Sequence, residues 1–260
     1  EDFDKPRLSK SDWTYAKGNS FIHKGNFVAG WGNNELQYYR IGTGKLNTNQ
    51  NLFIEDGFLK IQPIYHKNKF RKFEFTSARI HSKKKLSFTF PSKITFCFKV
   101  PSGIGFWPAF WMLPTGGSWP CDGEIDIMEQ WGNNYLTNST TGAAHIGTCP
   151  YSQSTHFYES FSSYISSGSY ADDFHNYSVI WKEDTITWYV DETELFSLNP
   201  SSYWSIPSQS AWPFNANEWY LMINLAITQA GPNSNTVFPN QMEIDYVRVY
   251  QENTTSIESV

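Results

Sequence analysis

Short runs of strand-forming residues, separated by turn residues, recur along almost the whole chain. Apolar side chains at helical spacing are nearly absent, whereas residues 94–100 and 242–250 alternate apolar and polar side chains, the period of a strand buried on one face. This pattern predicts an all-β fold, a sandwich of two packed antiparallel sheets. Strands are predicted at 37–41, 57–63, 77–81, 85–90, 92–100, 123–130, 140–145, 176–181, 186–190, 219–226 and 242–251.

The uniform composition of the sequence indicates the domain organisation. The length of 260 residues fits one β-sandwich or two small domains. The sequence has no internal repeat, no linker and no break in composition, so we expect one domain over residues 1–252 and a polar C-terminal tail over 253–260. Residues 152–173 show no clear period and are predicted to form a long loop, either along the rim of a binding cleft or elsewhere on the surface.

The composition narrows the class of ligand. Aromatic residues make up 18% of the chain, well above the usual level of a globular protein, and their flat faces can stack on sugar rings or bases. The net charge of −5 argues against nucleic acid as a partner. Only 17% of the residues are charged, and the remaining polarity comes from hydroxyl and amide side chains, which suits a neutral, hydroxyl-rich ligand.

Three cysteines permit at most one internal disulfide and leave one thiol over. Cys97 lies in an alternating run and is expected to be buried, whereas Cys121 and Cys149 bracket an acidic segment and could pair if the chain is oxidised. The sequence shows neither a signal peptide nor an apolar run of transmembrane length. We therefore expect a processed, secreted, extracellular monomer without a membrane partner. N-glycosylation sequons, which are common by chance, begin at Asn138, Asn176 and Asn253.

The acidic segment, Gly-Glu-Ile-Asp-Ile-Met-Glu at 123–129, is the strongest candidate for chemistry. In a regular strand Glu124 and Asp126 share one face and Glu129 points to the other. A β-bulge at or beside Met128 would return Glu129 to the face of Glu124. Clustered carboxylates raise one another's pKa values, which is costly unless the cluster is used. The alternative is an acidic edge strand that faces solvent.

Tryptophans surround this segment. Trp107 and Trp111 precede it, and Trp119 and Trp131 flank it. An isolated pair of tryptophans would belong to a core. Next to three acids, however, the arrangement fits a cleft in which indole faces stack on sugar rings and polar neighbours bind the hydroxyls.

With these motifs the chain resembles glycoside hydrolase family 16, and within it the laminarinases, which are endo-β-1,3-glucanases. The resemblance rests on motifs in the family's order across nearly the whole chain: Trp-Gly-Asn-Asn-Glu-Leu-Gln-Tyr-Tyr at 31–39, Thr-Ser-Ala-Arg-Ile at 76–80, the tryptophan segment at 107–113, the acidic segment at 123–129, Asp-Phe-His-Asn-Tyr at 173–177, Trp-Tyr-Val-Asp at 188–191 and Asp-Tyr-Val-Arg-Val-Tyr at 245–250.

The resemblance implies a jelly-roll sandwich with an open concave substrate cleft and a retaining, double-displacement hydrolysis without a catalytic cofactor. Glu124 would be the nucleophile, Glu129 the general acid and base, and Asp126 the group that tunes them. Retaining enzymes place their two carboxyl groups roughly 5–5.5 Å apart, which two same-face positions on a bulged strand can supply.

The resemblance also suggests residues that bind substrate. Asn33, Glu35 and Arg79 match positions near the glycone end of the cleft, with Glu35 as an ion-pair partner of Arg79. The alternative is a structural pair that joins two strands. His145 matches a cleft histidine beside the acid/base, although a lone histidine is more often structural.

A structural calcium is a further implication of the resemblance. Asp245 would supply a carboxylate, and main-chain carbonyls near Asp2 and Gly57 would complete a set of oxygen ligands, the kind that Ca²⁺ prefers. The sequence departs from the laminarinase pattern at 228–231, where Thr-Gln-Ala-Gly stands in place of Gly-Gly-Asn-Trp. This departure leaves the substrate subclass open.

The expected function is hydrolysis of β-1,3-glucan, with mixed β-1,3/1,4-glucan as a second substrate. One alternative is a non-catalytic β-glucan-binding recognition protein on the same fold, but such proteins generally lose one or both glutamates. A galactose-type lectin on a related sandwich is less favoured, because a lectin needs no paired glutamates.

Overall fold

A computed structural model describes residues 1–42, 50–132, 138–202 and 212–251. The predicted tail at 253–260 and the sequon at Asn253 lie outside these residues. Within them, regular structure consists of strands and three short 3-10 turns, at Gly30–Gly32, Gln153–Thr155 and Pro213–Asn215. The described part of the chain contains no helix with the length and apolar character needed to cross a bilayer.

The strands are β1 (Thr14–Tyr15), β2 (Ser20–His23), β3 (Asn26–Ala29), β4 (Gln37–Tyr39), β5 (Leu52–Glu55), β6 (Phe58–Ile61), β7 (Ile64–Phe70), β8 (Phe73–Ser77), β9 (Arg79–His81), β10 (Ser92–Lys99), β11 (Phe106–Pro114), β12 (Glu124–Glu129), β13 (Ser139–Gly147), β14 (His156–Tyr164), β15 (His175–Lys182), β16 (Thr185–Val190), β17 (Thr193–Leu198), β18 (Trp219–Ile227) and β19 (Met242–Gln251).

Two seven-stranded sheets form the body of the fold. The front sheet has the order β1-β9-β18-β11-β12-β13-β14, and the back sheet has the order β17-β16-β15-β10-β19-β6-β5. All pairings within both sheets are antiparallel. The predicted all-β jelly-roll sandwich of two antiparallel sheets is confirmed.

The core lies between the sheets and explains the alternation of the sequence. In β18, Leu221, Ile223 and Leu225 belong to the core, and the residues between them face the opposite side of the front sheet. Aromatic side chains join the two layers. Phe96 of β10 packs against Phe110 of β11 with ring centroids 3.7 Å apart. The remaining face of the front sheet is therefore free to carry polar and aromatic side chains.

Two smaller sheets accompany the sandwich. One has the order β4-β8-β7, with a parallel β4–β8 pair, and the other is the β2–β3 hairpin. Gly18 forms an isolated bridge with Tyr39 of β4, which joins the segment before β2 to the three-stranded sheet.

The prediction of a strand at 85–90 is wrong. Only Phe88 pairs there, as an isolated bridge with Trp219. The main-chain N–H groups of Lys85 and Leu86 both donate to the carbonyl of Ser82, which makes a turn of the first half of the segment. Pro91 follows and lacks the N–H that would continue a ladder.

The loop predicted at 152–173 is also wrong over its central part. Strand β14 occupies His156–Tyr164 and pairs along its whole length with β13. Its outward positions include Ser160 and Ser162, and on its inward face the buried Glu159 stands between Phe157 and Phe161, so a polar residue interrupts the apolar alternation. The front sheet consequently ends in a strand that the sequence did not predict.

Candidate active site

Glu124, Asp126 and Glu129 point to the same face of the front sheet because β12 contains a bulge. Phe110 of β11 pairs with Met128, whereas the next residue, Trp111, pairs with Asp126, so Ile127 has no opposite residue on β11. Ile127 and Met128 are consecutive and both belong to the core. The predicted bulge beside Met128 is confirmed.

The bulge has an anchor from the back sheet. The indole N–H of Trp188 in β16 donates to the main-chain carbonyl of Asp126 at 2.9 Å, and both groups are buried. A buried carbonyl left without a partner would be costly. Trp188 therefore fixes the main chain at the point where the strand departs from regular geometry.

The three carboxylates favour protonation. Burial raises the pKa of Glu124 to about 8, that of Asp126 to about 7 and that of Glu129 to about 8. The charge of Asp126 raises the pKa of both glutamates further, and the neighbouring His145 lowers both. The cluster therefore retains protons near neutral pH, and those protons belong to the set rather than to single residues.

Trp107 and Trp131 form an aromatic wall beside Glu129. The Trp107 indole N–H donates to Glu129 Oε1 at 2.9 Å, which favours the ionised carboxylate and lowers the pKa of Glu129. The rings of Trp107 and Trp131 stack with centroids 3.9 Å apart and an interplanar angle of 27°. Trp131 is the outer ring, with 42% of its surface exposed, and offers its free face to a ligand.

Two histidines connect Asp126 to the edge of the sheet. His145 Nε2 lies 3.0 Å from Asp126 Oδ2, and His145 Nδ1 lies 2.8 Å from His156 Nε2. Burial lowers the pKa of His156 to about 4, so this ring is neutral above that pH and can accept a hydrogen bond from His145.

A second aromatic wall packs on this histidine pair. Trp119 lies 4.8 Å from His156 and 5.0 Å from Tyr151, centroid to centroid. Trp119 lowers the pKa of Glu124, although its buried Nε1 has no partner at full hydrogen-bond geometry. The predicted disulfide between Cys121 and Cys149 is present and joins the two loops that carry Trp119 and Tyr151.

Arg79 lies at the other end of the face, between two tryptophans. Its guanidinium is 4.6 Å from the Trp31 ring centroid and 4.8 Å from that of Trp111. The Trp111 indole N–H donates to Asn224 Oδ1 at 2.8 Å. Trp111 thus contacts both Arg79 and Asn224, which fixes its ring against the guanidinium. The Arg79 side chain is buried, with 9% of its surface exposed.

The structure does not pair Glu35 with Arg79 as expected. Among the ion pairs of the described residues, none joins the two. Glu35 is buried and accepts hydrogen bonds from Gln37 Nε2 and, at 2.9 Å, from the hydroxyl of Tyr39. Burial raises the pKa of Glu35, and the charge of Arg79 partly offsets this. Glu35 therefore supports the local structure, while Asn33 nearby is exposed and accessible.

The departure at 228–231 leaves no aromatic residue in that segment. Gln229 is exposed, and its Oε1 accepts a hydrogen bond of 3.3 Å from Asn34 Nδ2. Thr228 is buried, and its N–H donates to the carbonyl of Gly105. Gly231 thus stands where an indole would be expected.

The structure brings the proposed calcium ligands to one end of β19. Asp245 has no opposite residue on β10 and lies in a bulge. The chain N-terminus donates to the carbonyl of Val247, and the Asp2 carboxylate pairs with Arg248 at 2.7 Å. Strand β6, which follows Gly57, pairs with β19 beside Asp245. Arg248 thus engages the Asp2 carboxylate, and the expected donors, two main-chain carbonyls and the Asp245 carboxylate, are all oxygen atoms of the kind that Ca²⁺ prefers.

A side-chain cluster capable of holding a metal ion occurs at a different place. One ligand atom from each of Glu124, Asp126 and His145 lies within 4.8 Å of the others, and this is the one such group among the described residues. These residues already form the acidic cluster, in which protons and His145 balance the charge.

Sequence reasoning missed Trp31, Asn224 and His156 as parts of the site. The signal for Asn224 was available, because a polar residue interrupts an otherwise apolar strand. His156 could not be found, because its strand was taken as a loop. Trp31 was visible only as part of a motif, and its main chain adopts a left-handed turn at φ 53° that places the ring on Arg79.

Comparison with known proteins identifies a family of glycoside hydrolases, in agreement with the paired carboxylates of the site. The family model described as glycosyl hydrolases family 16 matches residues 24–248. The chain is 35% identical over 272 residues to a glucan endo-1,3-beta-glucosidase A1 from Niallia circulans, which covers 97% of this chain and 37% of that protein. It is 30% identical over 254 residues to a beta-1,3-glucan-binding protein from Penaeus monodon, covering 86% of this chain and 61% of that one.

The chain thus spans about a third of the first relative's length. Among solved structures, an endo-beta-1,3-glucanase from Pyrococcus furiosus superposes with a TM-score of 0.80 at 32% identity, covering 96% of this chain and 92% of that one. The acidic strand, its bulge and its aromatic walls all lie within the matched residues, and the chain belongs to glycosyl hydrolases family 16.

Proposed function

We propose that the chain is an endo-acting, retaining glycoside hydrolase that cleaves β-1,3-glucan, and mixed β-1,3/1,4-glucan as a second substrate. The observation that carries the proposal is that Glu124, Asp126 and Glu129 share one face of the sheet. A bulge produces this arrangement by placing two consecutive residues of the strand in the core. An acidic surface strand would need no such geometry.

In the first step Glu124 attacks the anomeric carbon and forms a glycosyl-enzyme ester. Glu129 gives its proton to the glycosidic oxygen as the bond to the leaving sugar breaks. Glu124 must then be ionised. Because the pKa of Asp126, about 7, lies below that of Glu124, about 8, a proton shared by the two favours Glu124 in the free site, and it must move to Asp126 when Glu124 attacks.

In the second step the ionised Glu129 removes a proton from water, and the water oxygen attacks the anomeric carbon. The ester bond breaks, Glu124 leaves as a carboxylate and Glu129 is protonated again. Trp107 favours the ionised state of Glu129 that this step needs. Two inversions at one carbon give net retention of configuration.

The same face supplies surfaces for sugar rings on both sides of the acids. Trp107 and Trp131 stack beside Glu129, and Trp119 lies beside Glu124. Towards the Arg79 end, Asn33 is accessible to sugar hydroxyls, Trp111 carries Arg79 on its ring, and Glu35 supports the segment from behind. We assign His145 to charge balance at Asp126.

Product analysis on laminarin, lichenan and agarose tests the proposal. We expect oligosaccharides from laminarin, fewer from lichenan and none from agarose. Proton NMR should show the β-anomer first, and initial release of the α-anomer would exclude retention. Glu124→Gln and Glu129→Gln should remove hydrolysis, while Glu183→Gln, at an exposed position, should keep it. A binding protein would retain laminarin without cleaving it and would respond to none of these changes.

We also propose that one Ca²⁺ ion is held by the carboxylate of Asp245 and by main-chain carbonyls at Asp2 and Gly57. When bound, the ion would join the N-terminus to the β5–β6 turn and stabilise the back sheet. Chelation should lower the melting temperature, and Asp245→Asn should reduce that response. An unchanged melting temperature on chelation would exclude the site.

The chain is further proposed to act as a secreted monomer whose catalytic domain covers residues 1–252. The Cys121–Cys149 disulfide supports an oxidising compartment. Sedimentation of the purified chain would test the monomer, and secretion from a eukaryotic host followed by glycan analysis would test the sequons.

A further inference from the structure

The β7–β8 hairpin carries a dense positive charge that the proposed hydrolysis does not use. Residues 64–73 include four lysines and arginines and no acid, in a chain whose net charge is −5. Lys69 pairs with Glu74 at 3.4 Å, but no ion pair of the described residues involves Arg71 or Lys72. Both side chains are exposed. The hairpin thus presents cations with unoccupied hydrogen-bond donors.

Aromatic rings hold these cations in place. The Arg71 guanidinium lies 5.5 Å from the Tyr38 ring centroid and 5.9 Å from that of Phe70, and the Lys72 ammonium lies 5.5 Å from Phe73. Cation–aromatic contacts orient a charge without neutralising it. Lysines on an ordinary solvent-exposed surface have no such aromatic contacts and remain flexible.

The backbone of the hairpin is costly to form with these residues. Arg71 adopts φ 58° and Lys69 adopts φ 54°, in the left-handed region. A non-glycine residue there costs about 1 kcal/mol, which glycine would avoid. The chain therefore keeps cations at positions where structure alone favours glycine.

The cations line an open groove of about 610 Å³ between this hairpin and the β2–β3 hairpin. Ligand sites typically measure roughly 300–1,000 Å³. Phe27, which is 69% exposed, forms the opposite wall, and Tyr38 and Phe73 form the near wall. Gly18, Asn19 and Ser20 add polar groups to the lining. The groove thus combines flat apolar faces, neutral hydrogen-bonding groups and cations.

The groove borders the Arg79 end of the catalytic face. Asn19 donates to the carbonyls of Glu35 and Gln37, and the Trp31 indole donates to the carbonyl of Gly18 at 3.2 Å. Trp31 in turn packs on Arg79. One short segment therefore separates the groove from the site.

We propose that this groove binds an acidic polysaccharide, a chain of sugars that bears carboxylate or sulfate groups, in addition to the glucan at the catalytic face. Sugar rings stack on Phe27 and Phe73, and the acidic groups bind Arg71 and Lys72. Guanidinium forms paired hydrogen bonds with both carboxylate and sulfate. The bound chain holds the enzyme on a composite matrix that contains both polymers.

A nucleic acid fits these observations less well. Its charges are closely spaced along the backbone, and a protein of net charge −5 repels it beyond the short basic hairpin. A sugar chain with separated charges needs only the two free cations and the aromatic faces that the groove supplies.

Binding measurements test the proposal without reference to catalysis. Affinity electrophoresis and calorimetry would compare polygalacturonate, dextran sulfate, neutral dextran and a single-stranded oligonucleotide as ligands. We expect binding to one or both acidic polysaccharides that weakens with salt, and no binding to neutral dextran. The difference between polygalacturonate and dextran sulfate identifies the acidic group.

Arg71→Gly is the informative variant, because glycine accepts the left-handed backbone and the fold is retained. It should weaken binding roughly tenfold, equivalent to one strong charge-assisted contact. Lys84→Gly is the matched control, since Lys84 is exposed at φ 64° outside the groove, and it should bind as the wild type does. Laminarin hydrolysis should stay unchanged in both variants. The hydrolysis assay therefore tests the proposed function, and the binding assay tests the proposed groove.

Phe27→Ala should weaken binding to the acidic polysaccharide and leave any oligonucleotide binding unchanged. The proposal is overturned if no acidic polysaccharide binds, if the oligonucleotide binds as tightly, if Lys84→Gly has the same effect as Arg71→Gly, or if Phe27→Ala has none.

Discussion

Replacement of Glu129 by glutamine should stabilise the protein in a pH-dependent manner. Burial raises the pKa of Glu129 from 4.5 to about 8, so the folded protein binds more protons than the unfolded chain between these two pH values. A raised carboxyl pKa therefore makes stability fall as the pH increases from about 4.5 to about 8. Glutamine is neutral throughout and removes this contribution from the wild-type curve.

The size of the effect follows from the pKa. One pH unit between folded and unfolded pKa values corresponds to about 1.4 kcal/mol, so the upper limit at pH 8 is about 5 kcal/mol. Glu124 and Asp126 share protons with Glu129, and they relax when it is neutralised. We therefore expect a gain of about 1–3 kcal/mol at pH 8 and almost none at pH 4.

Thermal unfolding from pH 4 to pH 9 measures this difference. For a domain of this size the gain corresponds to a melting temperature higher by roughly 2–4 °C per kcal/mol at pH 8. Glu183→Gln, at an exposed position, should follow the wild-type curve. If Glu129→Gln shows no advantage at pH 8, or the same advantage at every pH, the carboxylate cluster is not strained by burial. The variant should also lose roughly 10²- to 10⁴-fold in kcat.

Three further substitutions probe the surroundings of the acids. His156→Phe removes the hydrogen-bond partner that orients His145, the residue that lowers the pKa of both glutamates, so these pKa values should rise and the acidic limb of the kcat/KM profile should move to higher pH. Trp107→Phe removes the N–H that favours ionised Glu129, so the basic limb should move to higher pH. Cys149→Ser opens a loop with a sequence separation of 28 residues and should lower the free energy of unfolding by about 3 kcal/mol, measured by urea titration.

Each of these variants has a control. Tyr158→Phe keeps the ring that stacks on His145 and should leave the acidic limb unchanged. Trp131→Phe alters the same aromatic wall without touching a hydrogen bond to Glu129 and should change KM more than the pH profile. Cys97→Ala removes the buried free thiol and should not reproduce the loss of stability caused by Cys149→Ser. A limb that moves equally in variant and control would contradict the assigned hydrogen bond.

The bulge was predictable because a strand has a strict period of two. Counting from Glu124 shows that Glu129 falls on the wrong face, and only an extra residue corrects it. The same count works in β18, where alternate core residues leave Asn224 on the catalytic face. Where one face of a strand is apolar and the other polar, the sequence alone determines which side chains meet.

The pattern is less informative where a polar residue interrupts the apolar face of a strand. Strand β14 presents serines outward, and on its inward face the buried Glu159 stands between Phe157 and Phe161. The pair His145–His156 depends on that register and could not be foreseen. The contacts of Arg79 could not be predicted for another reason. The guanidinium packs on two tryptophans instead of pairing with Glu35, and this depends on side-chain packing that sequence spacing does not encode.

The core behind β12 is part of the catalytic apparatus. Three neighbouring carboxylates repel one another and would separate on a flexible segment, so the strand must be held from the side that carries no charge. Ile127 and Met128 both insert between the sheets, and Trp188 occupies the carbonyl of Asp126 from the opposite layer. The free energy of apolar burial in the sandwich offsets the electrostatic cost of the site. The acids therefore stay together because the free energy gained by folding exceeds the free energy of their mutual repulsion.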